Sequence, residues 1–145
     1  MSEVQDLFRR AIEHDDADAM RTGLDMLFGV GAGGLSAADE YELRHEDYAM
    51  EMPQSGERIS SRDRMRAMQE SFPGPPPSIT IRGVSGAGRT WVIEGTNEYG
   101  PGDVWSVVLL LEFSPDGRML RDTRYYAKPF DPPEWRAQFT DPNPH

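Results

Sequence analysis

Near the C-terminal end of the chain, in RMLRDTRYYA from Arg118 to Ala127, an acid, a guanidinium and a phenol recur at every second position: Asp122, Arg124 and Tyr126. Side chains two apart in an extended strand point to the same face. These three therefore share a side with Arg118 and Leu120, while Met119, Arg121, Thr123, Tyr125 and Ala127 take the other. Such a row can do acid–base work. A carboxylate in an apolar setting is pushed toward neutrality by desolvation and pulled back by a neighbouring guanidinium, so the pair can be tuned near working pH. The same groups can also form an ion pair that only satisfies itself.

The elements that must position this row are four long strands, SITIRGVS, RTWVIEGTNEY, DVWSVVLLLEF and RMLRDTRYYA, joined by turns at GAG, GPG and SPDG. Pairing the last two across SPDG, with Phe113 near Arg118, sets Leu109 opposite Asp122, Val107 opposite Arg124 and Trp105 opposite Tyr126. The row then shares its face with Trp105, Val107, Leu109 and Leu111. DVWSVVLLLEF is apolar on its other face as well, through Val104, Val108 and Leu110, so it needs cover on both sides. The helices are too few to cover both, and a homodimer through the outer sheet face is the expected second cover. In TWVIEGTNEY, alternation with Trp91 and Ile93 turns Glu94 and Glu98 away from the row, with the GPG turn leaving that register open by one residue.

The N-terminal third is helical. Val4, Leu7, Phe8, Ala11 and Ile12 follow the helical stripe behind a Ser2–Gln5 capping box, which predicts a helix from about Glu3 to His14. Asp15 or Asp16 caps a second helix with Met20, Leu24, Leu27 and Phe28. The acids of HDDADA beside His14 read as caps and a solvated turn, not as metal ligands. Glycines from Gly29 to Gly34 then form a loop, and Ser36 opens a short helix through Leu43. EDYAMEMP is a strand with Tyr48, Met50 and Met52 on one side, ERIS a short return strand, and Ser60 caps a helix carrying Met65, Met68 and Phe72. His45, just before the first strand, reads as a surface or capping residue.

The chain has 145 residues, a net charge of −10 and no cysteine. This excludes disulfides and thiolate chemistry, and it argues against nucleic acid or an anionic membrane as partner, since both need a basic footprint. With no apolar run of spanning length, a cytoplasmic protein is expected. The architecture is α+β: a cone-shaped, curved, mixed but mostly antiparallel sheet wrapped around N-terminal helices, one domain over residues 1–130. Residues 131–145 form a tail. In it Pro132 and Pro133 open a short docking helix with Trp135 and Phe139, and DPNPH after Thr140 is a polar end.

This order of elements, with the strings EMPQSGERISSRDRMRA, TWVIEG, LEFSPDGRML and TRYYAKPFDPPEWRAQF, resembles the SnoaL-like branch of the nuclear transport factor 2-like (NTF2-like) superfamily. That fold is shared by ketosteroid isomerase, scytalone dehydratase, limonene epoxide hydrolase and SnoaL-type polyketide cyclases. The resemblance spans about residues 1 to 139. It implies a cavity between the helices and the concave sheet face, and an acid–base aspartate on the last strand, which falls on Asp122. It also marks departures: the steroid isomerase base, oxyanion acid and tyrosine fall on Met52, Leu109 and about Phe8, all apolar, and the cyclase histidine expected on VWSVVLLLEF is absent. The expected site is Asp122, Arg124 and Tyr126 as catalytic groups, lined by Phe8, Tyr48, Met50, Met52, Trp91, Trp105 and Leu109, with no metal or cofactor. The implied activity is that of a lyase, isomerase or cyclase acting on a small hydrophobic carbonyl compound. The alternatives are a non-catalytic binder of a small hydrophobic molecule and an interaction scaffold using Trp135 and Phe139. A paired-carboxylate site would need Glu94 inside.

Overall fold

The computed structural model describes residues 2–29 and 34–143. Of the glycine loop expected from Gly29 to Gly34, residues 30–33 lie outside the described residues, as do the last two residues of the polar end. Two helices, α1 (Glu3–His14) and α2 (Ala17–Phe28), start where their caps require. The Ser2 hydroxyl accepts from the Gln5 amide at 3.1 Å and the Asp16 carboxylate from the Ala19 amide at 3.0 Å, each satisfying a donor that the first turn leaves open. Their apolar stripes meet the sheet. Phe8 is fully buried with its ring 5.0 Å from that of Phe113, and burying a side chain of this size stabilises the fold by about 1.5–3 kcal/mol.

After α3 (Ala37–Glu42) come β1 (Arg44–Met52), β2 (Glu57–Ile59) and α4 (Arg62–Glu70). The cap of α4 is Ser61, whose hydroxyl accepts from the Arg64 amide at 3.2 Å, not the expected Ser60. Of the expected stripe only Met65 is buried; Met68 faces solvent on α4, and Phe72, expected on this helix, lies beyond its C-cap Ser71 and is exposed. The long strands are β3 (Ser78–Ala87), β4 (Thr90–Glu98), β5 (Val104–Phe113) and β6 (Met119–Ala127). Together the strands form one open six-stranded sheet in the order β2-β1-β6-β5-β4-β3. All neighbours are antiparallel except β1 and β6, which run parallel with Met50 beside Asp122. The sheet is curved over α1 and α2 in an α+β cone.

The pairing of β5 and β6 is displaced by two residues from the expected register: Leu111, Leu109 and Val107 stand opposite Asp122, Arg124 and Tyr126. Leu120 is a bulge without a partner, since Glu112 pairs with Arg121 and Phe113 with Met119. The extra residue turns Met119 into the core while Asp122 also faces inward, so the parity read through Arg118 and Leu120 breaks at that point. The cause lies in the SPDG turn. It is closed by Ser114 and Arg118 and seated on α1, where the Gln5 side chain donates to the Asp116 carbonyl at 2.9 Å. Gly117 has φ +88, and a Cβ there would come within 2.7 Å of the Gln5 carbonyl oxygen, so only glycine fits.

Inward residues of β4 and β5 (Trp91, Ile93, Val107, Leu109, Leu111) are buried, and their outward neighbours are not. Glu94 and Glu98 face outward, as alternation implies, so no carboxylate pair forms inside. On the outer face of β5, Val104 and Val108 are partly buried and Leu110 is 39% exposed. The tail carries a short 3₁₀ helix, Glu134–Phe139, none of whose residues is buried. No helix among the described residues is long and apolar enough to cross a membrane.

Candidate functional site

On the concave face, β6 presents Asp122, Arg124 and Tyr126 in a row. The Asp122 carboxylate, 2% exposed, accepts from Arg124 Nη2 at 2.8 Å and from Arg124 Nε at 3.1 Å to each oxygen. Its Oδ2 also accepts from the Tyr48 hydroxyl of β1 at 3.0 Å. A buried charge needs such pairing, because removing it from water costs several kcal/mol. Arg124 in turn directs Nη1 toward the Tyr126 hydroxyl at 3.4 Å, a long contact that leaves most of that nitrogen's donor capacity open.

Tyr48 is fully buried, and the fixed guanidinium of Arg44 stands 5.3 Å from its ring centre. Arg44 is itself 2% exposed and held by Glu40 at 3.5 Å and Gln69 at 3.3 Å, with Gln69 also bonded to Glu40. The phenol is thus fixed at its ring by one cation and at its oxygen by Asp122. Burial, reinforced by the Asp122 carboxylate, pushes the Tyr48 phenol well above its ordinary range. For Arg124, burial works against the charged form, yet the Asp122 carboxylate outweighs it and holds the guanidinium firmly protonated.

Arg124 and Tyr126 of this row border a small cavity of about 20 Å³ between the C-terminal end of α2 and strands β3 to β6. Its apolar wall includes Phe28, Ile81, Ile93 and Leu109, and its polar wall Asn97, Arg124 and Tyr126. Asp122 stands behind Arg124 and does not line the space. Gly95 shapes the floor at the β3 bulge, where a Cβ would lie 2.2 Å from the Thr80 carbonyl oxygen. The space holds about one water molecule and falls below the roughly 300 Å³ typical of ligand pockets. A ligand therefore enters only if the wall moves.

Of the expected site residues, the structure brings together Asp122, Arg124, Tyr126 and Tyr48, with Met50 beside Asp122 and Leu109 on the cavity wall. Met52 is half-buried at the end of β1. Phe8 and Trp91 are packed in the core, where Trp91 Nε1 donates to the Gly88 carbonyl at 2.8 Å. Trp105 sits toward the solvent-exposed end of β5, edge-on to Tyr99 at 5.7 Å and bonded to Asp103. His45 lies inside β1 and not before it, partly buried beside Glu46 and Asp47, its Nδ1 accepting from the Asp47 amide at 3.0 Å.

Asn97 and Phe28 were not among the expected site residues. Asn97 is 6% exposed and donates to the Tyr99 hydroxyl at 3.2 Å. Its signal was in the sequence, since it shares the inward parity of Trp91, Ile93 and Gly95, and an amide on an apolar face needs a partner. Among the described residues no group of three or more His, Asp or Glu is placed to hold a metal ion.

No family model matches the chain, and no curated protein matches it in sequence. Solved structures do. An NTF-2 like protein from Burkholderia xenovorans is 29% identical with a TM-score of 0.65, covering 85% of this chain and 94% of its own. A candidate ketosteroid isomerase from Kribbella flavida is 22% identical with a TM-score of 0.71, covering 98% and 90%. An LEH-like epoxide hydrolase from M. tuberculosis is 17% identical with a TM-score of 0.50, covering 85% and 79%. With the open six-stranded sheet wrapped on α1 and α2, these likenesses show an NTF2-like fold, and the Burkholderia protein at 29% identity supports placing the chain in the NTF2-like superfamily.

Proposed function

We propose that this chain binds a small, largely apolar carbonyl compound in the cavity between α2 and the sheet, holding its oxygen with Arg124, Tyr126 and Asn97. The observation that supports this reading most is the state of Arg124. Its Nε and Nη2 are locked onto Asp122, its orientation is fixed from behind by the Asp122–Tyr48 pair, and its Nη1 is left facing the cavity wall with capacity to spare. A preoriented guanidinium beside a phenol is suited to a carbonyl or enolate oxygen, and the wall of isoleucine, leucine and phenylalanine to an apolar skeleton. The wall residue to move is Phe28, which ends α2, is only half-buried and lines the small space.

A second reading adds chemistry: a lyase, isomerase or cyclase step in which Asp122 takes a proton next to the carbonyl. It is favoured by Asp122 Oδ1, which accepts a single bond where Oδ2 accepts three. For that step the carboxylate must gain access past Arg124.

The test is a calorimetric titration with aromatic and alicyclic ketones beside the hydrocarbons of the same shape. The ketones should bind better, and Arg124→Met should remove the difference while leaving the hydrocarbons unaffected. Equal binding of ketone and hydrocarbon to the parent chain would reject the oxygen clamp. Turnover of a bound ketone that is lost in Asp122→Asn would carry the chemical reading.

A further inference from the structure

We propose that the ligand of this cavity carries, beside the carbonyl oxygen received by Arg124, a hydrogen-bond donor of its own, a hydroxyl or an N–H, and that Asn97 Oδ1 accepts it. This rests on the oxygen clamp proposed above and narrows its ligand from apolar carbonyl compounds in general to hydroxyketones and lactam-like amides. Asn97 is 6% exposed and lines the cavity, and its Nδ2 donates to the Tyr99 hydroxyl at 3.2 Å. Its Oδ1 accepts from no group among the described residues. Nor is that oxygen sealed inside the protein. Among the described residues the sealed, unpartnered side-chain atoms are Asp25 Oδ1 and Arg44 Nε, so Asn97 Oδ1 opens onto space. Buried polar atoms are almost always hydrogen-bonded, and an open acceptor on a cavity wall is a place for a donor that the chain does not supply.

The sheet register sets this acceptor apart from the cation. Gly95, Val107 and Tyr126 form one inward row across β4, β5 and β6, with Arg124 one step to one side on β6 and Asn97 one step to the other on β4. Arg124 and Asn97 therefore stand at opposite corners of the cavity. Gly95 brings no side chain to the row between them, which leaves the middle open over Val107. With neighbouring strands about 4.8 Å apart and same-face residues about 6.7 Å apart along a strand, the two corner backbones are separated by on the order of 15 Å. A long arginine and a short asparagine close most of that distance and leave a gap on the scale of one small ring.

The two corners ask for opposite chemistry. Arg124 Nη1 can only donate, so its end selects an acceptor; Asn97 Oδ1 can only accept, so its end selects a donor. A plain ketone answers the first and leaves the second desolvated and unpaired. A site built in this way discriminates against the analogue that lacks the group, because burying the unpaired atom costs roughly tenfold in affinity.

Calorimetric titration of the full chain tests this with probes of one alicyclic skeleton: the hydrocarbon, the ketone, the hydroxyketones with the hydroxyl at each ring position, and their methyl ethers. The lactam and its N-methyl form separate an N–H from a hydroxyl. One hydroxyketone should bind about tenfold more tightly than both the ketone and its own methyl ether, or the lactam about tenfold more tightly than its N-methyl form. Asn97→Leu, first shown by circular dichroism to be folded, should abolish that preference while the ketone still binds better than the hydrocarbon. A parent chain that prefers ketone to hydrocarbon yet gains nothing from a hydroxyl or N–H overturns the inference and leaves the oxygen clamp standing. Equal binding of ketone and hydrocarbon overturns the clamp, and the inference falls with it. A donor preference that survives in Asn97→Leu overturns the inference as well; should that variant not fold, the ranking on the parent chain decides by itself.

Discussion

Replacing Asp122 by Asn keeps the shape of the side chain and an acceptor for the Tyr48 hydroxyl, but it leaves the Arg124 guanidinium in its place without a counter-charge. Removing one partner of a buried ion pair costs about 3–5 kcal/mol. The Arg124 side chain keeps 18% of its exposure while that of Asp122 keeps 1%, so water reaches one end of the pair and the cost falls at the lower end, about 3 kcal/mol. For a domain of this size, roughly 3 °C of melting temperature accompanies each kcal/mol, which gives a fall of about 10 °C. The companion variant Asp122→Leu/Arg124→Met removes both charges and should recover most of the loss, because apolar replacement of a whole buried pair is often neutral. Urea denaturation of the parent, the single and the double variant reads all three values. A single variant within about 1 kcal/mol of the parent would refute the reasoning, since a pair that matters that little is not desolvated.

Phe28→Ala should enlarge the cavity and raise the affinity for small apolar probes while lowering stability by about 2 kcal/mol, less than the 3–5 typical of a fully buried phenylalanine; thermal shift with and without probe measures both. Tyr48 gives a pH prediction. Its phenol is raised above the ordinary value by burial and by Asp122, so its contribution to stability is fully present below about pH 10 and is lost as pH rises through the higher folded value. Alkaline titration followed at 295 nm should show the Tyr48 phenol ionising only with unfolding, and Tyr48→Phe should remove that late step.

Much of the fold was readable because local signals agreed. The Ser2 cap and the stripe from Val4 to Ile12 define α1 from Glu3 to His14 without reference to anything distant. Ser60 and Ser61 carry the same capping signal one residue apart, and only the strand preceding them decides between the two. The face of Asp122 came out correctly although the register did not, because the displacement was two residues and strand parity has period two. The bulge at Leu120 left no trace in the pattern, since Met119 and Leu120 are both apolar and either can turn inward. The parallel pairing of β1 with β6 joins segments about seventy residues apart, and no local periodicity reports it. The cavity volume was the least legible quantity. It depends on how Phe28, Ile81 and Leu109 close over Arg124, and differences of a few tenths of an ångström in that packing decide it.

The claim that a ligand oxygen is held by Arg124 on the concave face is tested most directly by following the side-chain N–H signals of Arg124 Nε and Asn97 Nδ2, and the methyl signals of Ile81 and Ile93, while an aromatic ketone is titrated into the full chain. The account predicts that all four sets move together and saturate with one dissociation constant, and that Arg124→Met abolishes the response of Asn97. Shifts confined to the outer face around Leu110, or none at these four positions up to millimolar ketone, would contradict it.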